Sequence, residues 1–106
     1  MPKFLIKGSY TAEGLKGVQK DKGTGRQKDV AYVCETLGGK LDVIYFALGD
    51  DDVFAVVDMP GAPQVAALCL AIGASGMCKT STVPLLTVAE MDSLLVQTVS
   101  YRPPGG

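Results

Sequence analysis

The stretch Leu41–Asp58, LDVIYFALGDDDVFAVVD, constrains this chain more than any other. Two runs rich in Val, Ile, Tyr and Phe flank Gly49-Asp50-Asp51-Asp52. Apolar β-formers bounded by turn-formers predict a hairpin. Its second strand carries apolar residues at every position, with Val53, Ala55 and Val57 on one side and Phe54 and Val56 on the other. A strand with one wet face would alternate apolar with polar. The sheet is therefore expected to be covered on both faces.

The rest of the chain supplies the partners of that hairpin. Lys3–Tyr10 reads as a first strand, with Phe4, Ile6 and Gly8 pointing one way and Leu5, Lys7 and Ser9 the other. Thr11 is placed to cap a helix, and Glu13 puts a carboxylate in its first turn. Asp21–Gly25 is expected to interrupt that helix. A second helical stretch then runs from Arg26 to about Leu37, with Val30, Val33, Cys34 and Leu37 on one face. Gly38-Gly39 offers a left-handed C-cap. After Pro60-Gly61, a helix from about Ala62 to Ala74 is apolar nearly all round and is expected to be buried on two sides. Met77–Leu85 reads as the last strand. Thr87 and Glu90 form a capping box for a closing helix, whose stripe is Val88, Met91, Leu94, Leu95 and Thr98.

This order predicts an α+β fold: a ferredoxin-like βαββαβ antiparallel sheet with an extra C-terminal helix. One domain is expected over residues 1–99, with 100–106 (SYRPPGG) as an extended tail. Helices in such a fold lie on one face of the sheet. The closing helix is expected to cover part of the second face, and a second copy, packed sheet to sheet, the rest. At roughly 25 cal/mol per Å², burying several hundred Å² of apolar sheet is worth many kcal/mol. A homodimer, or a higher oligomer of dimers, is the expected assembly.

Composition closes off several functions. Ten basic and eleven acidic residues leave a net charge of −1, which gives no footprint for nucleic acid or an anionic membrane. The longest apolar run, Val65–Ile72, is far short of the roughly 20 residues of a membrane span. MPKFLIKGSY has no apolar segment followed by a cleavage site, so a cytoplasmic location is the default expectation. Cys34, Cys69 and Cys78 sit among apolar neighbours and read as reduced core residues.

Histidine is absent, which removes Ser-His and Cys-His nucleophile schemes. A metal would have to rely on carboxylates. Asp50, Asp51 and Asp52 are consecutive, do not converge on one ion, and lack EF-hand spacing, so they read first as solvated turn residues. Neither a metal nor a cofactor is expected. The candidates for holding a small molecule or anion are Lys7, Tyr10, Arg26, Tyr45, Asp50 and Asp52. Gly23-Thr24-Gly25-Arg26 offers backbone N–H groups and a guanidinium to an anion, although it is not a P-loop; the alternative is a flexible break between helices. Lys7 shares a strand face with Leu5 and Ser9, and projects toward the space between sheet and partner. Tyr10 and Tyr45 are read as lining that same space, where they would orient a phenol-like or carbonyl compound. The alternative is that Lys7 reaches water or an acid across the dimer, and the tyrosines are core.

Around Gly49-Asp50-Asp51-Asp52-Val53 the chain resembles the GYD domain family, small bacterial proteins of the dimeric α/β-barrel group. MPKFLIKGSYTAEGLKGV resembles the family's opening strand and helix, and Gly23-Thr24-Gly25-Arg26 its glycine-and-arginine loop. LGGKLDVIYFALGD, ALCLAIGASG, PLLTVAEMD and SYRPPG resemble further family segments. The namesake turn usually carries Tyr before its second acid, where this chain has Asp51. The resemblance implies a dimeric α/β barrel and leaves two functions open. One is an oligomeric module that binds a small ligand or another protein, without a strong catalytic motif. The other is a cofactor-independent enzyme, monooxygenase- or isomerase-like, using a cavity between sheet and helices. There Lys7 or an Asp would be the base and Tyr45 would position the substrate. Fold relatives of that kind often use a His, which this chain lacks.

Overall fold

Strand β1 (Lys3–Tyr10) runs through the middle of the sheet and pairs on both sides. In the computed structural model, which describes all 106 residues, the chain continues through α1 (Ala12–Thr36), β2 (Lys40–Phe46) and β3 (Val53–Asp58). It ends with α2 (Ala62–Ala74), β4 (Cys78–Leu85) and α3 (Val88–Leu95). The result is an α+β fold: an open four-stranded antiparallel sheet, ordered β2-β3-β1-β4, with three helices. That order is compatible with a ferredoxin-like arrangement.

The register decides which residues are buried. Phe4 lies opposite Val57 and Pro84, and Ile6 opposite Ala55 and Thr82, so these share the face under α1 and α2. There Phe4, Ile6 and Val57 meet Cys34 of α1 and Val65 and Leu68 of α2, with Met59 completing the cluster. The other face carries Leu5, Val43 and Val56 side by side, then Lys7, Phe54 and Tyr45. None of those six is buried, and Tyr45 is 69% exposed.

The closing helix does not cover them. α3 forms as its capping box requires, with Thr87 N–H donating to Glu90 Oε1 (2.9 Å) and Glu90 N–H to Thr87 Oγ1 (3.1 Å). Yet no α3 residue is buried, and Val88 is 81% exposed. Leu70 on the outer side of α2 is likewise 74% exposed, so the second neighbour expected for that helix does not come from this chain. The accessible surface is 7297 Å², against about 5,700 Å² for a compact chain of this mass.

α1 differs from expectation. A five-residue interruption at Asp21–Gly25 shrinks to one non-helical residue, Lys22 (φ 63, ψ 174), while Gly23, Thr24 and Gly25 are helical. The glycines tolerate the helix, and keeping them helical satisfies their backbone groups. The end of α1 is as expected: Gly38 is left-handed (φ 82), and Gly39 N–H returns to the Cys34 carbonyl at 2.9 Å. The last strand starts one residue late, at Cys78, and α3 stops before Thr98.

Two contacts lock the frame. Lys3 Nζ donates to Asp58 Oδ1 (2.8 Å) and to Asp42 Oδ2 (3.2 Å), where a bulge between Leu41 and Val43 turns Asp42 out. The bond from Lys3 holds the buried Asp58 carboxyl below its usual 3.8. Its stabilising contribution is thus present above that value and lost as pH falls through the lower folded one. Asp58→Asn is expected to lower stability at pH 7 and to flatten the acid limb below about pH 4 in urea melts. At the other end of the sheet, α1 presses Gly14 against the Met77 carbonyl, where a Cβ would collide; nothing lies near Gly17. Gly14→Ala is expected to cost about 1–3 kcal/mol, and Gly17→Ala to gain about 0.5–1 kcal/mol. Equal effects would remove the close approach as the cause.

Candidate functional site

The helix-covered face is underfilled near its middle. Ala55 on β3 lies on the floor of a chamber of about 120 Å³, and Gly8 on β1 lets Val53 and Cys78 close over its edge. A Cβ on Gly8 would come within 2.9 Å of Val53 and 3.0 Å of Cys78 Sγ. Val30 and Val33 of α1 and Leu68 and Ile72 of α2 close the chamber from the helix side. Both valines pack against the core, which is why the second half of α1 lies close to the sheet. The first half is less engaged: only Gly14 is buried there, and Leu15 is 47% exposed. Between this half and α2 opens a wider cleft of about 440 Å³, lined by Glu13, Val18, Asp21 and Ala71. Tyr10, Arg26 and Cys78 line both spaces, together with Val33, Leu68 and Ile72. They form the neck between them.

Carboxylates crowd that neck. Arg26 Nη1 lies 3.4 Å from Asp29 and 3.9 Å from Asp21. Glu13 lines the same cleft, and the Asp52 carboxylate accepts from Tyr10 N–H at 2.8 Å. Lys16 pairs with Glu13 at 3.6 Å, so Arg26 answers two acids, Asp29 and Asp21, and the local potential does not favour an anion. Burial pushes the Tyr10 hydroxyl up, only partly opposed by Arg26, and pushes the Cys78 thiol up as well. Both are protonated at neutral pH.

Of the six residues singled out in the sequence, Tyr10 and Arg26 come together here. Lys7 and Tyr45 do not join them. Lys7 lies opposite Phe54 and Ser81, and Tyr45 opposite Phe54, all on the uncovered face. A strand alternates sides, so Tyr10 cannot share a face with Lys7. Arg26 is not free to clamp an anion, because Asp29 and Asp21 already engage it. The acidic turn folds over the end of β1. Ser9 Oγ donates to the Asp50 carbonyl (3.1 Å) and to Asp51 Oδ1 (3.2 Å), and Asp52 N–H donates to the Gly8 carbonyl (2.8 Å). No three His, Cys, Asp or Glu side chains converge as a metal site would require. A cavity between sheet and helices is expected from the sequence only under the enzyme reading, and of its lining only Tyr10 and Arg26 are singled out there. A further signal is Ala55, a small residue where a core strand ordinarily carries a large one.

The family model for the GYD domain matches residues 4–95. The chain belongs to the GYD domain family. No curated protein and no solved structure matches it. The matched span takes in all three helices and, but for Lys3, all four strands. Both walls of the chamber and the whole neck are thus part of the GYD domain proper. No helix in it is long and apolar enough to cross a membrane.

Lys22, where α1 kinks, sits between the half that walls the cleft and the half that roofs the chamber. Its φ of 63 with ψ of 174 belongs to a region that is essentially glycine's and costs about 1–3 kcal/mol for other residues. Lys22→Gly is expected to raise stability by about 1 kcal/mol in denaturant melts. A loss would mean the kink is not strained.

Proposed function

We propose that this GYD domain is a homo-oligomeric, small-ligand-binding module: two copies pack sheet to sheet, and each holds a ligand in the chamber between sheet and helices. The observation that carries the ligand reading is the chamber itself, an apolar void with a polar neck and a cleft leading to it. Concave, mostly apolar sites with a few placed polar groups are where small molecules bind.

The assembly is supported by surface area. The chain exposes roughly 1,600 Å² more than a compact chain of its mass. Two copies that hid this excess would bury about 3,000 Å², in the range of obligate homodimers. The uncovered sheet face, with Phe54, Val56 and Leu5, and the unpacked α3 are the surfaces with most to gain. This is the dimeric α/β-barrel arrangement. A cytoplasmic, bacterial setting goes with the same reading.

The enzyme alternative is weaker on geometry. In the chamber, Tyr10 and Cys78 hold their protons, and the acid there, Asp29, is engaged by Arg26. Lys7 and Tyr45, which would serve as base and positioning group, lie on the opposite side of the sheet. A reaction on that side would need a pocket completed by the second copy.

Light scattering after size-exclusion chromatography is expected to give twice the chain mass of 11.1 kDa, or a higher even multiple. Phe54→Asp is expected to shift it toward the single chain. A wild-type chain that stays folded and solitary at micromolar concentration would sink the assembly. An unbiased thermal-shift screen checks the ligand, since compounds that bind only the folded state raise Tm.

A further inference from the structure

An engineered apolar cavity of about 150 Å³ takes one benzene molecule. The chamber, at about 120 Å³, is of that order: it has room for one six-membered ring and little more. Aliphatic side chains form most of its wall, so a full charge inside would be poorly solvated. The mouth adds its own filter. Asp29 and Asp21 flank the guanidinium of Arg26, which works against an anion. The Arg26 charge at the same mouth and desolvation in the chamber work against a cation.

Two residues with neutral hydroxyls line the chamber, Thr80 on β4 and Tyr10 at the mouth. Tyr10 stands at the neck, and Arg26 lines the same two spaces beside it. A guanidinium has no acceptor, so Arg26 can only donate toward the phenol oxygen. That leaves the Tyr10 O–H to donate to an oxygen arriving from the chamber. We propose that the GYD domain binds an uncharged single-ring compound the size of phenol, its ring in the chamber and its one hydroxyl or carbonyl oxygen at the Tyr10 hydroxyl. The inference rests on the chamber being the ligand site, as proposed above, and adds the ligand's size, charge and polarity.

Thermal melting of the full chain with phenol, cyclohexanone, benzoate, benzylamine and 2-naphthol tests it, with calorimetric titration of any compound that shifts Tm. Phenol and cyclohexanone are expected to raise Tm by several degrees, and the two ions and the two-ring compound to leave it unchanged. Ala55→Leu from the sheet and Val30→Phe from α1 each fill the chamber and are expected to abolish the phenol shift. Tyr10→Phe is expected to weaken phenol roughly three- to tenfold while toluene binds as in the wild type. Benzoate or benzylamine binding as well as phenol would overturn the inference, as would a phenol shift that survives both filled variants. If no single-ring compound binds but a larger one does, and Ala55→Leu abolishes that, the inference fails and the chamber remains a ligand site. If no compound of any class binds, both fail.

Discussion

The register of β1 is the constraint on which everything else in this molecule depends. Its even-numbered residues, Phe4, Ile6, Gly8 and Tyr10, face the helices, and its odd-numbered ones, Leu5, Lys7 and Ser9, face away. A slip of one residue would put Lys7 into the core and Phe4 into water. Polar contacts pin the register at both ends. Lys3 bridges Asp58 and Asp42 at one, while Asp52 takes the Tyr10 amide and Asp51 the Ser9 hydroxyl at the other. The acidic turn, which in sequence looks like a candidate site, is thus better understood as a clasp. It closes the hairpin onto the end of the central strand, and in doing so fixes the backbone of Tyr10 at the neck.

Most of this frame was legible in the sequence because its signals are local. The helical spacing of Val30, Val33, Cys34 and Leu37, the glycine cap after Leu37, and the Thr87–Glu90 box each need only a few neighbouring residues to be read. The kink was less legible. Glycines at 23 and 25 pull any reading of positive φ toward themselves, yet the chain places it on Lys22. Tertiary packing overrides that local preference: Gly23–Thr36 must stay one straight rod for its apolar face to meet the sheet, so the change of direction falls just before it.

The site was legible only in part, and for a physical reason. Tyr10 and Arg26 stand out by type, but what they can do depends on groups brought from elsewhere. Arg26 looks like an anion clamp until Asp29, one turn on, and Asp21 are seen to engage it. Lys7, Tyr10 and Tyr45 look like a set until strand parity separates Tyr10 from the other two. The chamber is a property of what is missing, and a small residue such as Ala55 announces a void only when the fold sets its neighbours around it.

A void has a thermodynamic meaning in a chain this lightly built. Only 11 of 106 residues are buried, so the core supplies modest stability. A cavity of 120 Å³ costs about 3 kcal/mol if left empty, at about 24 cal/mol per Å³. A larger apolar residue in place of Ala55, which lines the chamber, would remove that cost if it fitted. The ligand proposed above would fill that void and offset its cost. The chamber lies on one face of the sheet and the uncovered apolar residues on the other, so a second copy seated on the latter would not fill the former. What such a partner would do is hold β1 and β3 flat beneath the chamber, through the alternate residues of those same two strands. The floor of the proposed site and the floor of the proposed interface are a single layer of backbone.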